Sequence, residues 1–197
     1  YVPGGGGRQA ANHVYRAAAD GLTIGACSPG VLSSAVLGEP GVEYDPYKFI
    51  YLGSPFSENI NMFATRKALG INSLEKLRAA SGVRVGAQTV GHAVYISGRI
   101  FAFLLGLKHP TIVVGFGGVE MDAALARGEI DARANSADTV IRRNAEALAK
   151  GEYNIHATLT IPKGKFHPRF ANVADAGSLA RNDKERQIIS LFREFMY

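Results

Sequence analysis

Residues 83–136 read VRVGAQTVGHAVYISGRIFAFLLGLKHPTIVVGFGGVEMDAALARGEIDARANS, and helical spacing of apolar residues resumes after them. Three times, a short apolar run is followed by a loop of glycines and small polar residues and then by a helical segment. The runs at 83–87, 111–114 and 130–134 predict buried strands, and 92–107, 119–127 and 137–150 predict helices. This alternation predicts an α/β fold with parallel βαβ sheets that carry helices on both faces.

The flanking segments add further elements to this unit. Short apolar runs bounded by turn residues predict strands at 22–26, 49–53 and 60–65, and residues 153–161 predict one longer strand. Helical spacing predicts helices after the glycine turn at 4–7 and at 31–37. Capping residues predict two more helices, one from Ser73 to Gly82 and one that begins near Asn182.

The composition excludes several classes of protein. The chain has 197 residues, 47% hydrophobic and 20% charged, which suits one domain or two small lobes and excludes a disordered chain or a coiled coil. No apolar run approaches the roughly 18 residues of a membrane-spanning helix. The net charge of +5 favours anionic partners in general, but the basic residues are dispersed, which argues against nucleic-acid binding. Cys27 is the only cysteine, so an internal disulfide is excluded.

The motifs of catalysis and cofactor binding are absent or incomplete. The glycine loops lack the last glycine of a dinucleotide-binding fingerprint and the lysine of a phosphate-binding loop. The five histidines lack the spacing of metal ligands. Residues 26–30, ACSPG, resemble the nucleophile elbow of a serine hydrolase, but Pro29 has no N–H with which to hold an oxyanion. We therefore expect a protein that is not an enzyme and that uses neither a cofactor nor a metal.

Glycines and small polar residues follow the predicted strands at their carboxyl ends, where ligands bind in open parallel sheets. Helices that start there direct unpaired amides towards a carboxylate or phosphate. Three or four charge-assisted hydrogen bonds, each worth about 1.5–3 kcal/mol, would give micromolar binding without a catalytic group. The residues in these positions are Ser28, Gln88, Thr89, Gly91, Gly117, Gly118, Asn135 and Ser136.

An ordered set of motifs resembles the solute receptors of tripartite tricarboxylate transporters, which are also called Bug-type receptors. PGGGGR at 3–8, AAN at 10–12 and DGLTIG at 20–25 resemble the PGxGG, AAN and DGxT motifs of that family. YDP at 44–46 with LGSP at 52–55, and VGFGG at 114–118 with ARGEID at 126–131, are similar to its YD…GSP and GYxG…RGEVD motifs. No single motif is specific to this family, but the order of the whole set along the chain is specific to it.

The resemblance implies a two-lobed binding protein of the type II, Venus-flytrap kind. Such a receptor captures a small organic carboxylate and passes it to the membrane subunits of a transporter, without nucleic acid and without entering the membrane itself. The implied boundaries are a first part of lobe 1 at 1–66, lobe 2 at 67–160 and a return to lobe 1 at 161–197. The family is longer at both ends, so we expect missing elements there, and a signal peptide upstream that directs the protein to the periplasm.

The resemblance also assigns positions to the candidate residues. Ser28 corresponds to the hydroxyl of the first-lobe ligand loop, residues 88–92 and 116–118 to the second-lobe clamp, and 135–136 to the same wall. His92 and Phe116 thereby join the candidate ligand-binding residues. His92 replaces a small hydroxyl residue and Phe116 replaces a tyrosine, so the identity of the carboxylate does not transfer. A protonated His92 would donate to an anion, whereas a neutral one would simply pack.

Two other classes of function stay open at this point. The effector domain of a transcription regulator shares the two-lobed fold, but it would need a helix-turn-helix upstream. A serine hydrolase would use Ser28 as its nucleophile, and its turnover of an activated ester would be lost in Ser28→Ala.

Overall fold

The computed structural model describes residue 2 and residues 4–54, 58–161 and 167–196, without the side chains of 195 and 196. At its centre lies one five-stranded sheet. The strands are β1 (Asn59–Arg66), β2 (Arg84–Gly86), β3 (Thr111–Val113), β4 (Ala132–Ser136) and β5 (Tyr153–Ile161). Their order across the sheet is β3-β2-β4-β1-β5.

Helices cover the sheet, and two of them begin at the predicted caps. Ser73 Oγ accepts a hydrogen bond of 3.2 Å from the amide of Lys76, and Asn182 Oδ1 accepts one of 3.0 Å from the amide of Glu185. The α-helices of the described residues are α1 (Arg8–Arg16), α2 (Gly30–Val36), α3 (Leu74–Ala79), α4 (Ala93–Leu104), α5 (Gly118–Arg127), α6 (Ala137–Arg143), α7 (Ala145–Ala149) and α8 (Asp183–Met196). The helix predicted over 137–150 is divided into α6 and α7 by Asn144, whose φ of −118° is not helical.

The alternation in residues 83–136 forms as predicted. β2, β3 and β4 are parallel, and Val85 lies opposite both Ile112 and Ala132. Val85 belongs to the core under α4, whereas a Cβ on Gly86 would lie 3.3 Å from Met121 of α5. Helices therefore cover both faces of this part of the sheet, and the predicted α/β fold class is confirmed.

One strand of the sheet, β1, runs against the other four. β1 is antiparallel to both β4 and β5, with Asn61 opposite Ser136 on one side and Leu159 on the other. β1 comes from the first part of the chain and is not joined to its neighbours by a βαβ crossover. It therefore need not be parallel to them, because only such a crossover requires parallel strands. The expectation of parallel sheets is thus correct for the pairing of β2, β3 and β4, whereas β1 is antiparallel to both of its neighbours and makes the sheet mixed.

The strands predicted at 22–26 and 49–53 do not form, so this prediction is wrong. Leu22, Ile24 and Ile50 are 86%, 76% and 89% exposed. A strand needs a neighbour to pair its amides and carbonyls, and no described strand pairs with these segments. Among the described residues, the predicted first lobe therefore has no sheet of its own. The lobe boundaries stay a prediction, and residues 162–166 lie outside the described part.

The largest apolar core lies between α4 and the sheet. The rings of Phe63 on β1 and Phe101 on α4 are 5.8 Å apart, and both side chains are fully buried. Ile189 and Phe192 place α8 in the same core. Burial of each such side chain stabilises the fold by about 1.5–3 kcal/mol. This packing fixes α4 on the sheet, and with it the loop from which α4 starts.

Candidate ligand-binding site

The carboxyl ends of β2 and β4 and the beginning of β1 meet at one edge of the sheet. β2 lies between β3 and β4, so the chain leaves β2 towards one side and returns on the other. Such a reversal leaves a crevice between the loops, which is where ligands bind in open α/β sheets. The amide of Gly115 donates a hydrogen bond of 2.8 Å to the carbonyl oxygen of Gln88, which joins the loops that follow β3 and β2.

Segments from the first part of the chain close over the loop after β2. A Cβ on Gly6 would lie 3.3 Å from Thr89 Oγ1 and from the amide nitrogen of His92. A Cβ on Gly30 would lie 2.9 Å from the carbonyl oxygen of Gly91 and 3.4 Å from Ser28 Oγ. The structure therefore brings four candidates together, namely Ser28, Thr89, Gly91 and His92, with Gln88 in the same loop.

The candidates after β3 lie at the same edge, but Gly117 already has a hydrogen-bond partner and Gly118 lies against Arg143. Glu120 Oε2 accepts a hydrogen bond of 2.6 Å from the amide of Gly117, so that amide already has an acceptor. A Cβ on Gly118 would lie 2.8 Å from Nη1 of Arg143, so the glycine leaves room for a guanidinium. Phe116 packs against the apolar side chains around α5.

Asn135 and Ser136 do not line one wall, contrary to the expectation. Consecutive side chains of a strand point to opposite faces. Asn135 and Arg133 line a cavity of about 10 Å³ on the side of α5 and α6, which is room for one water molecule. Asn135 Oδ1 also accepts a hydrogen bond of 2.9 Å from the amide of Ser136. Alternation places Ser136 on the face that α4 covers, opposite Asn61.

His92 is a neutral capping residue in this structure. Its Nδ1 accepts a hydrogen bond of 3.1 Å from the amide of Val94, which requires Nδ1 to carry no proton. Burial lowers the pKa of His92, which also favours the neutral imidazole. The suggested role of a protonated donor therefore does not fit, and the proton on Nε2 is the one that His92 offers to a ligand.

Two candidates carry buried polar atoms without a protein partner. Ser28 Oγ and Gln88 Oε1 have no hydrogen-bond partner among the described residues. An unsatisfied buried group costs about 1–3 kcal/mol, so native proteins pair such groups with a ligand or a water. These two atoms mark the loops around Gly91 as a place where something binds.

A third buried residue with an unpartnered atom, Asn61, is not among the candidates predicted from the sequence. Asn61 is 4% exposed, and its Nδ2 has no hydrogen-bond partner among the described residues. It lies directly across from Ser136, at the end of β1 that reaches this edge. Asn61 is an asparagine in an otherwise apolar predicted strand, but no local pattern relates it to Ser136 or to this edge of the sheet.

An ion pair beside Gly91 was also missed. Arg8 at the start of α1 pairs with Glu39, and their side chains are only 17% and 20% exposed. A Cβ on Gly91 would collide with the carboxylate of Glu39 and would lie 2.9 Å from Arg8 Nη1. Gly91 has a φ of +83°, a conformation that favours glycine. The pair thus brings one positive and one negative charge to the site. Sequence spacing could not relate Arg8 to Glu39, because the two residues are 31 positions apart.

Solved structures that resemble the chain over almost its whole length are solute-binding proteins. The R. palustris protein Rpa4515 with adipate has a TM-score of 0.71 and 19% identity, over 96% of this chain and 67% of its own. MatC from Rhodopseudomonas palustris with bound malate has a TM-score of 0.70 and 20% identity, over 97% of this chain and 70% of its own. The periplasmic binding protein BugD has a TM-score of 0.69 and 14% identity, over 98% of this chain and 69% of its own.

These likenesses confirm that the fold is the one that the motif resemblance predicted, that of Bug-type periplasmic binding proteins. No family model matches the chain, and no curated protein matches it either. In the described part of the chain, no helix has the length and apolarity to cross a membrane.

Proposed function

We propose that the protein is an extracytoplasmic receptor that binds a small organic carboxylate and presents it to the membrane subunits of a transporter of the tripartite tricarboxylate type. The observation that carries the proposal is the buried, unpartnered hydroxyl of Ser28, which can donate a hydrogen bond to a carboxylate where two segments of the chain meet. Adipate and malate, which accompany two of the structural neighbours, are acids of this class.

The polar groups at this edge suit an anion. The hydroxyl of Ser28 and the amide nitrogen of Asn61 are donors. α4 starts in the same loop. Apart from the amide of Val94, which His92 caps, the first amides of a helix have no partner within the helix and carry partial positive charge. Together they offer a carboxylate several hydrogen bonds with no bond made or broken.

Catalysis is a poorer match to the same residues. A serine nucleophile needs a base and an oxyanion hole. His92 uses Nδ1 to cap α4, and Pro29, which follows Ser28, has no N–H to donate. We therefore propose a binding protein that is not an enzyme.

Entry of a ligand requires the loops to separate. The close approach of Gly30 to the carbonyl oxygen of Gly91 leaves no room for a carboxylate between them. A ligand that bridges the two segments would hold them together around itself, and would favour that bound form over the open one by its difference in affinity for the two. The membrane partner would then distinguish loaded from empty receptor by this closure.

The test is isothermal titration of the protein with adipate and with malate, repeated with Ser28→Ala. A hydrogen bond to a charged group contributes about 1.5–3 kcal/mol, so the variant is expected to bind about 10- to 100-fold more weakly. Ser178→Ala is the matched control, because Ser178 is exposed and its hydroxyl donates to the carbonyl oxygen of Asp175. Equal affinity of Ser28→Ala and wild type would contradict the proposed site, and turnover of an activated ester would contradict the proposed function.

A further inference from the structure

A carboxylate of the chain itself already lies in the candidate site. Glu39 pairs with Arg8, and its Oε2 accepts a hydrogen bond of 3.2 Å from Ser34 Oγ. The same carboxylate lies against Gly91, in the loop that follows β2. Glu39 is therefore held between a cation and a hydroxyl of the first part of the chain and the backbone of the candidate ligand loop.

A second ion pair on α1 shows what is particular about the first. Arg16 pairs with Glu43, and this pair also joins α1 to the segment after α2. Its side chains are 64% and 52% exposed, against 17% and 20% for Arg8 and Glu39. Arg16 and Glu43 form an ordinary surface pair, which contributes little to stability. Of the two pairs, Arg8 and Glu39 are the less exposed, and it is Glu39 that lies against Gly91 in the loop after β2.

We propose that Arg8 and Ser34 form a carboxylate subsite, which Glu39 fills until an acid group of the ligand displaces it. This inference rests on the proposed function for the identity of the ligand, but the subsite itself is defined by Arg8, Ser34 and Gly91. The exchange conserves charge, because one carboxylate replaces another on the same guanidinium. Glu39 then moves to solvent, which its position in the turn-rich segment after α2 permits.

The exchange predicts that Glu39 competes with the ligand. A binding-competent state that is only partly populated weakens the apparent affinity by its fractional population. Removal of Glu39 therefore strengthens ligand binding, whereas removal of Arg8 weakens it. An ion pair that merely holds the fold together would give the opposite result for Glu39, since its loss would loosen the site.

The first experiment is titration of Glu39→Ala with adipate and malate. We expect the affinity to rise by about 10-fold or more, and the matched variant Glu43→Ala to bind like wild type. Glu39→Gln, which keeps the shape of the side chain without its charge, is the second variant if the alanine protein unfolds. Unchanged or weaker binding by the Glu39 variants, in a protein whose wild type binds, would overturn the proposal.

The second experiment needs no natural ligand. Glu39→Ala removes a group with the size and charge of acetate. Acetate in excess is expected to raise the melting temperature of Glu39→Ala above that in sodium chloride of equal ionic strength. Wild type and Glu43→Ala should show no such difference. If acetate fails to stabilise Glu39→Ala, the subsite is wrong. If acetate stabilises it while neither adipate nor malate binds any variant, the subsite stands and the proposed ligands do not.

Discussion

Replacement of Asp131 by alanine is expected to lower the free energy of unfolding by about 2–4 kcal/mol. The side chain of Asp131 is 8% exposed. It accepts two hydrogen bonds of 2.8 Å from Nε and Nη2 of Arg84 and one of 3.0 Å from Nη2 of Arg66. Removal of one partner from a buried pair costs about 3–5 kcal/mol. The cost is lower here because Arg84 is 40% exposed and regains water in the variant.

The loss is large because Asp131 joins three strands. Arg66 ends β1, Arg84 begins β2, and Asp131 precedes β4. Burial alone would raise the pKa of Asp131, but the hydrogen bonds from Arg84 and Arg66 outweigh it and hold the pKa at about 2. The folded-state pKa is thus below that of the unfolded carboxyl group. The stabilisation is present at neutral pH and is lost as the pH falls from about 4 towards 2.

Urea unfolding at neutral pH measures this effect. Asp183→Ala is the control, because Asp183 and Arg186 form a pair whose side chains are 88% and 58% exposed. Its removal should change the free energy of unfolding by no more than about 0.5 kcal/mol. If Asp131→Ala is as stable as Asp183→Ala, the ion pairs at the start of β4 do not hold the three strands together.

The fold could be predicted from the sequence where the signal is local. β2, β3 and β5 appear at or within a few residues of their predicted positions, because glycines and turn residues bound short apolar runs. The runs at 22–26 and 49–53 have the same local pattern and form no strand. A strand depends on a partner for its backbone groups, and the pattern of one run says nothing about whether a partner is beside it.

The candidate site likewise contains residues that local sequence signals identify and residues that depend on contacts between distant segments. Ser28 and Gln88 could be found because each follows a predicted strand, and His92 could be found through its place in the motif resemblance. Asn61 and Glu39 could not be found in this manner. Asn61 reaches the site by antiparallel pairing with Ser136, and Glu39 by an ion pair with Arg8. Both relations join residues far apart in the chain, so they become visible only once the sheet and the loops are assembled.

Acidification from about pH 6.5 to about pH 4 is expected to destabilise the protein through His156. This residue lies on β5, is 6% exposed, and has its Nε2 at 2.8 Å from Thr65 Oγ1. The hydroxyl of Thr65 donates to the carbonyl oxygen of Ile71, so it accepts the proton of Nε2. Burial lowers the pKa of His156 from 6.5 to about 4.

The sign of the effect follows from which state binds the proton first. The unfolded chain protonates this histidine near pH 6.5, and the folded chain does so only near pH 4. Between these values the unfolded state holds more protons, so stability decreases as the pH falls through this window. The shift corresponds to a loss of about 3 kcal/mol by pH 4, with full stability retained above pH 6.5.

Urea unfolding at a series of pH values separates this residue from the others that titrate. His156→Gln keeps an amide beside Thr65 and cannot take up a proton, so its stability should vary less between pH 6.5 and pH 4 than that of wild type. His13→Gln is the matched control, because His13 is exposed on α1, and it should keep the wild-type slope. An equal slope in His156→Gln and wild type would mean that the strand pair β1 and β5 admits water at His156, and that the histidine is not held neutral by burial.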